Sequence, residues 1–207
     1  TGNSLRPVEG GPLVPISHEG PGTETPYRVI RFVAKDVPPM GYRTYTVSEE
    51  QPQPLDIVAD AEKGVIESPF FRAKLDPARG RIVSLVDKRT GRELVDEKAP
   101  QGFGQYLYQR FGYPELAEWT KKSLYPQYEA HKMMFSAFDM PQDTSTVSAC
   151  PENMTLEVKT SPIDVSAVMT GEIPGPGQPQ QIYIRLTLSA EMPVADLEVG
   201  WQKQPDG

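Results

Sequence analysis

Along residues 66–96 polar and apolar positions alternate more regularly than anywhere else in the chain. Phe71, Ala73 and Leu75 stand against Arg72, Lys74 and Asp76, the period of two that a strand with one buried face requires. The next segment, RIVSLV at 81–86, is denser in β-branched and aliphatic residues and predicts a second strand. Between them, Asp76-Pro77-Ala78-Arg79-Gly80 carries the chemistry of a tight reversal. The proline pre-sets φ, the aspartate bonds nearby backbone, and the glycine accepts a left-handed conformation. Asp87-Lys88-Arg89-Thr90-Gly91 repeats that chemistry before a short third run, Glu93-Leu94-Val95. Three antiparallel strands are expected here.

The last third alternates in the same way. Runs 154–159, 163–169, 181–188 and 194–201 predict four more strands; in QIYIRLTL the apolar side is Ile182, Ile184, Leu186 and Leu188. The loop 171–180, GEIPGPGQPQ, is too rich in proline and glycine for regular structure. Upstream, YRVIRFVA (27–34) and YRTYTV (42–47) predict a β-pair of their own, joined by KDVPPMG. Residues 1–26 are rich in Gly and Pro and are expected to be loop or irregular edge. The polar, proline-bearing stretch 48–63 reads as a linker and places a domain boundary near residue 52. That divides the chain into a small β unit with its linker over 1–52 and a large antiparallel sandwich over 53–207. Only PELAEWTKKSL (114–124) suggests a helix, with Pro114 suited to a first turn and Glu118 four residues before Lys122. KMMFSAF (132–138), with His131 at its start, is a further strand candidate. Many strands and at most one helix indicate an all-β fold, an antiparallel β-sandwich.

Composition narrows the partners. With 207 residues, 38% of them hydrophobic, the chain can bury a core in one or two domains. Its net charge of -7 and pI near 5.0, with Lys and Arg dispersed, argue against a nucleic-acid surface. No apolar run approaches the ~20 residues that cross a bilayer, and no charged-then-apolar leader opens the chain, so no membrane partner is expected. Because it starts at Thr1 and stops just after a strand-like run, it reads as a piece of a longer polypeptide. A single Cys150 excludes an internal disulfide and reads as a small residue near a strand.

The candidate chemistry is sparse. In QGFGQYLYQRFGY (101–113), glycines punctuate the series Phe103, Tyr106, Tyr108, Phe111 and Tyr113. Alternating aromatics on a strand pack one face, and tyrosine hydroxyls give it a polar rim suited to sugar stacking. Aromatic strands also fill ordinary sandwich cores, and composition alone favours core packing over ligand contact. There is no phosphate-binding glycine loop, no metalloprotease His-Glu pair and no Gly-x-Ser-x-Gly elbow. His18, His131 and Cys150 sit in no ligand-spaced motif. Paired carboxylates would serve glycoside hydrolysis, but spacing does not select a pair from 28 acids. Asn153-Met154-Thr155 is a glycosylation sequon, relevant only in a eukaryotic secretory setting.

DVPPMGYRTYTV (36–47), followed by IESPFFRAKLDPARGRIVSLVDKRTGRELVD (66–96), resembles the C-terminal β region of glycoside hydrolase family 38, the α-mannosidases. In that family a small β domain ends on a strand matched here by Val37, Pro38, Pro39, Gly41, Tyr42, Thr44 and Tyr45. The large domain then opens with a motif matched by Glu67, Phe70, Phe71, Leu75, Asp76, Gly80, Ile82, Ser84, Leu85, Asp87, Lys88, Gly91, Arg92, Glu93 and Leu94. Ser68 departs from it where the family often has Asn. The resemblance is dense over 36–96 and weak beyond about residue 115.

The resemblance implies a non-catalytic domain of a large retaining glycosidase, similar to the galactose-mutarotase-like supersandwich. It would pack on an N-terminal α/β barrel that carries the zinc, the nucleophile and the acid/base, leaving no catalytic residue, metal or cofactor in this stretch. Its partners would be that catalytic domain of the same chain and, through the parent enzyme, carbohydrate. Gly104-Gln105-Tyr106-Leu107-Tyr108 fits a local pattern whose tyrosine reaches the catalytic cleft in some members, which nominates Tyr106 for contact with substrate hydroxyls. The alternative class is a free-standing carbohydrate-binding or mutarotase-like module. A mutarotase needs a general acid and base around one sugar, and only His131 is near sandwich strands.

Overall fold

The computed structural model describes residues 2–19, 29–123, 145–173 and 181–202. Five short strands come first: β1 (Ser4–Pro7), β2 (Val14–Pro15), β3 (Ser17–Glu19), β4 (Val29–Arg31) and β5 (Tyr45–Ser48). β1 runs antiparallel between β2 and β5, with Leu5 opposite Val14 on one side and Val47 on the other, while β3 pairs with β4. The expected pairing of 27–34 with 42–47 is thereby corrected, because each segment instead takes a partner from the residues expected to be loop. The connection 35–41 gives the reason. Asp36 and Met40 both adopt left-handed backbone, at φ 55° and 56°, and Pro38 and Pro39 offer no ladder donor. Arg43 donates to the carbonyls of Lys35 (2.9 Å) and Gly10 (3.3 Å), which ties the loop toward β1 and away from a hairpin. Leu5 and Ile16 are almost wholly buried, so a few aliphatic side chains suffice to seat these strands.

The linker-like composition holds only as far as residue 57, and β6 (Val58–Asp60) already belongs to the next sheet. β7 (Val65–Glu67), β8 (Phe71–Asp76), β9 (Arg81–Asp87) and β10 (Arg92–Glu93) complete a five-stranded antiparallel meander in the order β10-β9-β8-β7-β6. The three strands expected from the alternation are β8, β9 and β10. Gly80 and Gly91 close the two reversals at φ 58° and 69°, as the turn chemistry requires. Ser68, fully buried, accepts from the amides of Phe70 (3.3 Å) and Phe71 (3.2 Å) through Oγ. A serine hydroxyl thus does the turn-capping that an asparagine side chain also does well.

Three further elements and a four-stranded sheet follow. β11 (Tyr108–Arg110) is all of the aromatic stretch that becomes strand; α1 (Tyr113–Ser123) starts one residue before the expected helix and carries a 2.6 Å Glu118–Lys122 pair. β12 (Val147–Ala149) pairs with β11 and was not anticipated. The segment 132–138 and His131 lie outside the described residues. β13 (Thr155–Thr160), β14 (Asp164–Gly171), β15 (Gln181–Ser189) and β16 (Ala195–Gln202) form a four-stranded antiparallel sheet in sequence order, each within two residues of its expected bounds.

The two larger sheets face one another, with β13 and β14 lying against β6 and β7. Their alternating inner positions make one core: Ile66, Phe71, Ala73, Leu75, Ile82 and Leu85 from the meander, Val165, Ala167, Met169, Ile182, Ile184, Leu186 and Leu188 from the other sheet. Burying each large side chain contributes about 1.5–3 kcal/mol, which makes this interface the main source of stability. The all-β, antiparallel sandwich expected from the alternation is the observed fold class. Two ion pairs tie the N-terminal strands to one end of the sandwich, Arg31 Nη2 to Asp164 Oδ2 at 2.7 Å and Lys35 to Glu191.

Candidate functional site

The chain between β10 and β11 reaches Tyr106 through a turn held from several sides. Ile82 donates to the carbonyl of Phe103 (2.9 Å), Gln105 N donates to Gly102 O (3.1 Å), and the Gln105 side chain accepts from Gly102 N and donates to Arg79 O. Gly104 sits at φ 70°, and a Cβ there would meet Ile82 and Leu197 at 3.3–3.4 Å. Left-handed backbone and close packing both favour glycine. The turn therefore lies against the inner face of β16 and delivers Tyr106 to Trp201. The ring centroids are 5.6 Å apart with the planes tilted by 50°.

Tyr106 is half-buried at the margin of the main core. Burial first, and Tyr108 second, push its hydroxyl above the usual phenol value, so it stays a neutral hydrogen-bonding group. Among the described residues that hydroxyl has no hydrogen-bond partner, and it is not one of the buried unsatisfied atoms. It therefore opens to solvent. Of the neighbours expected to form a stacking wall, Phe103 and Phe111 are substantially exposed and Tyr108 lies in β11. The ring packed on Tyr106 is instead Trp201, which sequence reasoning placed in a strand without singling it out.

Trp201 is unusual for its position. Register places Leu197, Val199 and Trp201 opposite Leu186, Ile184 and Ile182, all essentially buried inner-face residues, yet Leu197 is 38% and Trp201 56% exposed. The 102–106 turn, which packs on Leu197 and Trp201, covers only part of this strand. Leaving half an indole in water forgoes on the order of 2–3 kcal/mol of burial. A signal existed in the alternation Ala195, Leu197, Val199, Trp201, which puts the indole on the apolar side of the strand.

On the other side of the same turn, Gln105 and Leu107 help line an open groove of about 720 Å³ with Ser148, Cys150, Glu152 and Asn153. Burial, then Glu152, raises the Cys150 thiol above its ordinary value, which keeps it protonated and unreactive. Asn153 is exposed, at φ 51°, just before β13. His18 lies on β3 with Nε2 3.1 Å from the carbonyl of Gly2. Among the described residues, no three His, Cys, Asp or Glu side chains come together.

Fold and site together define an antiparallel β-sandwich with a half-open aromatic corner at the edge of its four-stranded sheet. No family model matches the sequence, and no curated protein matches it. Among solved structures, the chain is similar to an alpha-mannosidase from Enterococcus faecalis V583, at 13% identity and a TM-score of 0.49, over 96% of this chain and 24% of that one. The chain thus spans about a quarter of that protein's length.

Proposed function

We propose that the chain is a non-catalytic β domain of a family 38, α-mannosidase-like glycoside hydrolase, which packs on a catalytic barrel and helps complete its sugar-binding cleft. The observation that carries this is how the residues of the resembling motif are used. Lys88 donates to Glu67 (2.6 Å) and to the Ser68 carbonyl (3.1 Å). Asp87 holds Arg89, and Glu93 accepts from Ser84 and from the amides of Leu85, Leu94 and Val95. Each fixes a turn or a strand end, which is the work of an architectural domain. Zinc, nucleophile and acid/base would then belong to the barrel. The chain's own contribution to the sugar would be Tyr106, whose free hydroxyl is suited to a substrate hydroxyl. The small unit over 1–52 would be the tail of a preceding β domain and 53–207 the sandwich proper. A free-standing carbohydrate-binding module is the second reading, favoured by one observation, the exposed indole beside Tyr106.

Tyr106→Phe in the enzyme that carries this chain tests the first reading. It is expected to weaken transition-state binding by about 1–2 kcal/mol, the scale of one lost hydrogen bond, with the melting temperature unchanged. A destabilised but fully active enzyme would make Tyr106 a core residue and sink the assignment.

A further inference from the structure

We propose that Trp201, with Tyr106 as its wall, is a stacking platform for the ring of a neutral pyranose, a sugar contact on β16 outside the segment that resembles family 38. This site rests on the proposed role of Tyr106 as a sugar contact and adds a second residue and a ligand chemistry to it. Leu197 lies against the Gly104 turn and Trp201 against Tyr106, so the 104–106 segment runs along the inner face of β16 and stops at the indole. One side of the indole is packed, and more than half of its surface is open. Beside it stand the unpartnered Tyr106 hydroxyl and, among the described residues, the free backbone edge of β16.

That combination selects the ligand. A purely apolar partner would cover the indole but bury the Tyr106 hydroxyl without a hydrogen bond, which is unfavourable. A pyranose presents both surfaces needed: a face of C–H groups for the indole and a rim of hydroxyls for the tyrosine and the strand edge. Charge narrows it further. The acidic residues of β16, Asp196 and Glu198, alternate onto the opposite face, where Glu198 is held by Arg185 (2.8 Å) and Tyr183 (2.6 Å). No ion of β16 faces the platform, so a neutral sugar fits it better than a uronate or a sugar phosphate.

Ligand-observed saturation-transfer NMR on the full chain, titrated with methyl α-D-mannopyranoside and methyl β-D-glucopyranoside, tests this, with glycerol as the open-chain polyol. The expected result is saturable transfer to ring C–H protons of at least one pyranoside and none to glycerol. Binding should be weakened at least tenfold in Trp201→Ala and largely retained in Trp201→Phe, both melting as cooperatively as the parent chain. No transfer to either pyranoside, equal transfer to glycerol, or unchanged binding in Trp201→Ala would overturn it. The two proposals fail separately. A null titration alongside an intact effect of Tyr106→Phe on turnover removes the platform and leaves the domain assignment, whereas sugar binding with no such effect does the reverse.

Discussion

Glu93 shows how one exposed carboxylate can anchor a strand end. It accepts from the Ser84 hydroxyl at 2.6 Å and from the amides of Leu85, Leu94 and Val95 at 2.7–3.0 Å. Burial pulls its pKa upward, but the bonds from Ser84, Leu85, Val95 and Leu94 together outweigh it, and the net value lies below the ordinary 4.5. A folded-state pKa below the unfolded one means stability that is present above about the ordinary carboxylate range and lost as pH falls through the folded value. Glu93→Gln is therefore expected to lower stability at pH 7 by about 1 kcal/mol, the figure for charged hydrogen bonds discounted for exposure. The gap should narrow as the pH falls below the ordinary carboxylate range and close at a pH below the lowered folded-state value, where the wild-type carboxylate is itself protonated. Urea unfolding at the two pH values reads this directly, and a gap independent of pH would show that the carboxylate charge is irrelevant. Ser68 is the complementary case: a serine at a tight reversal whose Oγ accepts from the amides of Phe70 and Phe71.

Among the elements, what was legible followed from burial on one face. β8 and β15 bury every second residue, and that periodicity is written directly in Phe71-Ala73-Leu75 and Ile182-Ile184-Leu186-Leu188. The turns at Gly80 and Gly91 were equally readable because left-handed backbone has a residue signature. Pairing among β1 to β5 was not, because partners far apart in sequence are chosen by tertiary packing and by the loop geometry of Asp36 and Met40, and neither leaves a period. β12 escaped for a similar reason, being three residues long and paired far away with β11. At the candidate site, Tyr106 is nominated by resemblance alone, while its ring partner Trp201 lies 95 positions downstream of it in the sequence and meets it only because the 102–106 turn crosses to β16. The alternation makes a graded prediction. Ile184, fully buried at the centre of the inner face, should cost about 2–5 kcal/mol on truncation to Ala. Leu197→Ala on the half-open edge should cost clearly less, the smaller loss of buried surface setting the difference. Thermal or urea denaturation of both variants checks this; equal losses would mean that the edge of β16 is as closely packed as its centre.

At the scale of the whole molecule, the described residues supply scaffold and a corner, without an assembled set of metal ligands. The proposed architectural role predicts that the chain alone hydrolyses no aryl-mannoside and holds no structural zinc; stoichiometric zinc by elemental analysis, removable together with turnover, would contradict that. A second expectation concerns how the N-terminal strands are held to the sandwich. Lys35, just beyond β4, pairs with Glu191 beyond β15, and Arg31 of β4 reaches Asp164 at the start of β14. The carboxylates are the sheltered partners: the Glu191 side chain is only 6% exposed while that of Lys35 is 55% exposed. A sheltered carboxylate deprived of its cation is destabilising in a way that loss of an open surface pair is not. Asp164 retains a 2.7 Å bond from Ser161 if Arg31 is removed, whereas among the described residues no other side-chain donor reaches Glu191. Lys35→Met should therefore cost about 1–2 kcal/mol, below the 3–5 of a fully buried pair because the lysine is half solvated. Replacing both members, Lys35→Met with Glu191→Gln, should recover much of that loss, since the uncompensated charge is gone. A double-mutant cycle on urea stability decides it. Two additive losses would mean that the pair does not couple the strands to the sandwich, while recovery in the double variant would identify the sheltered Glu191 charge as what holds Lys35 in place.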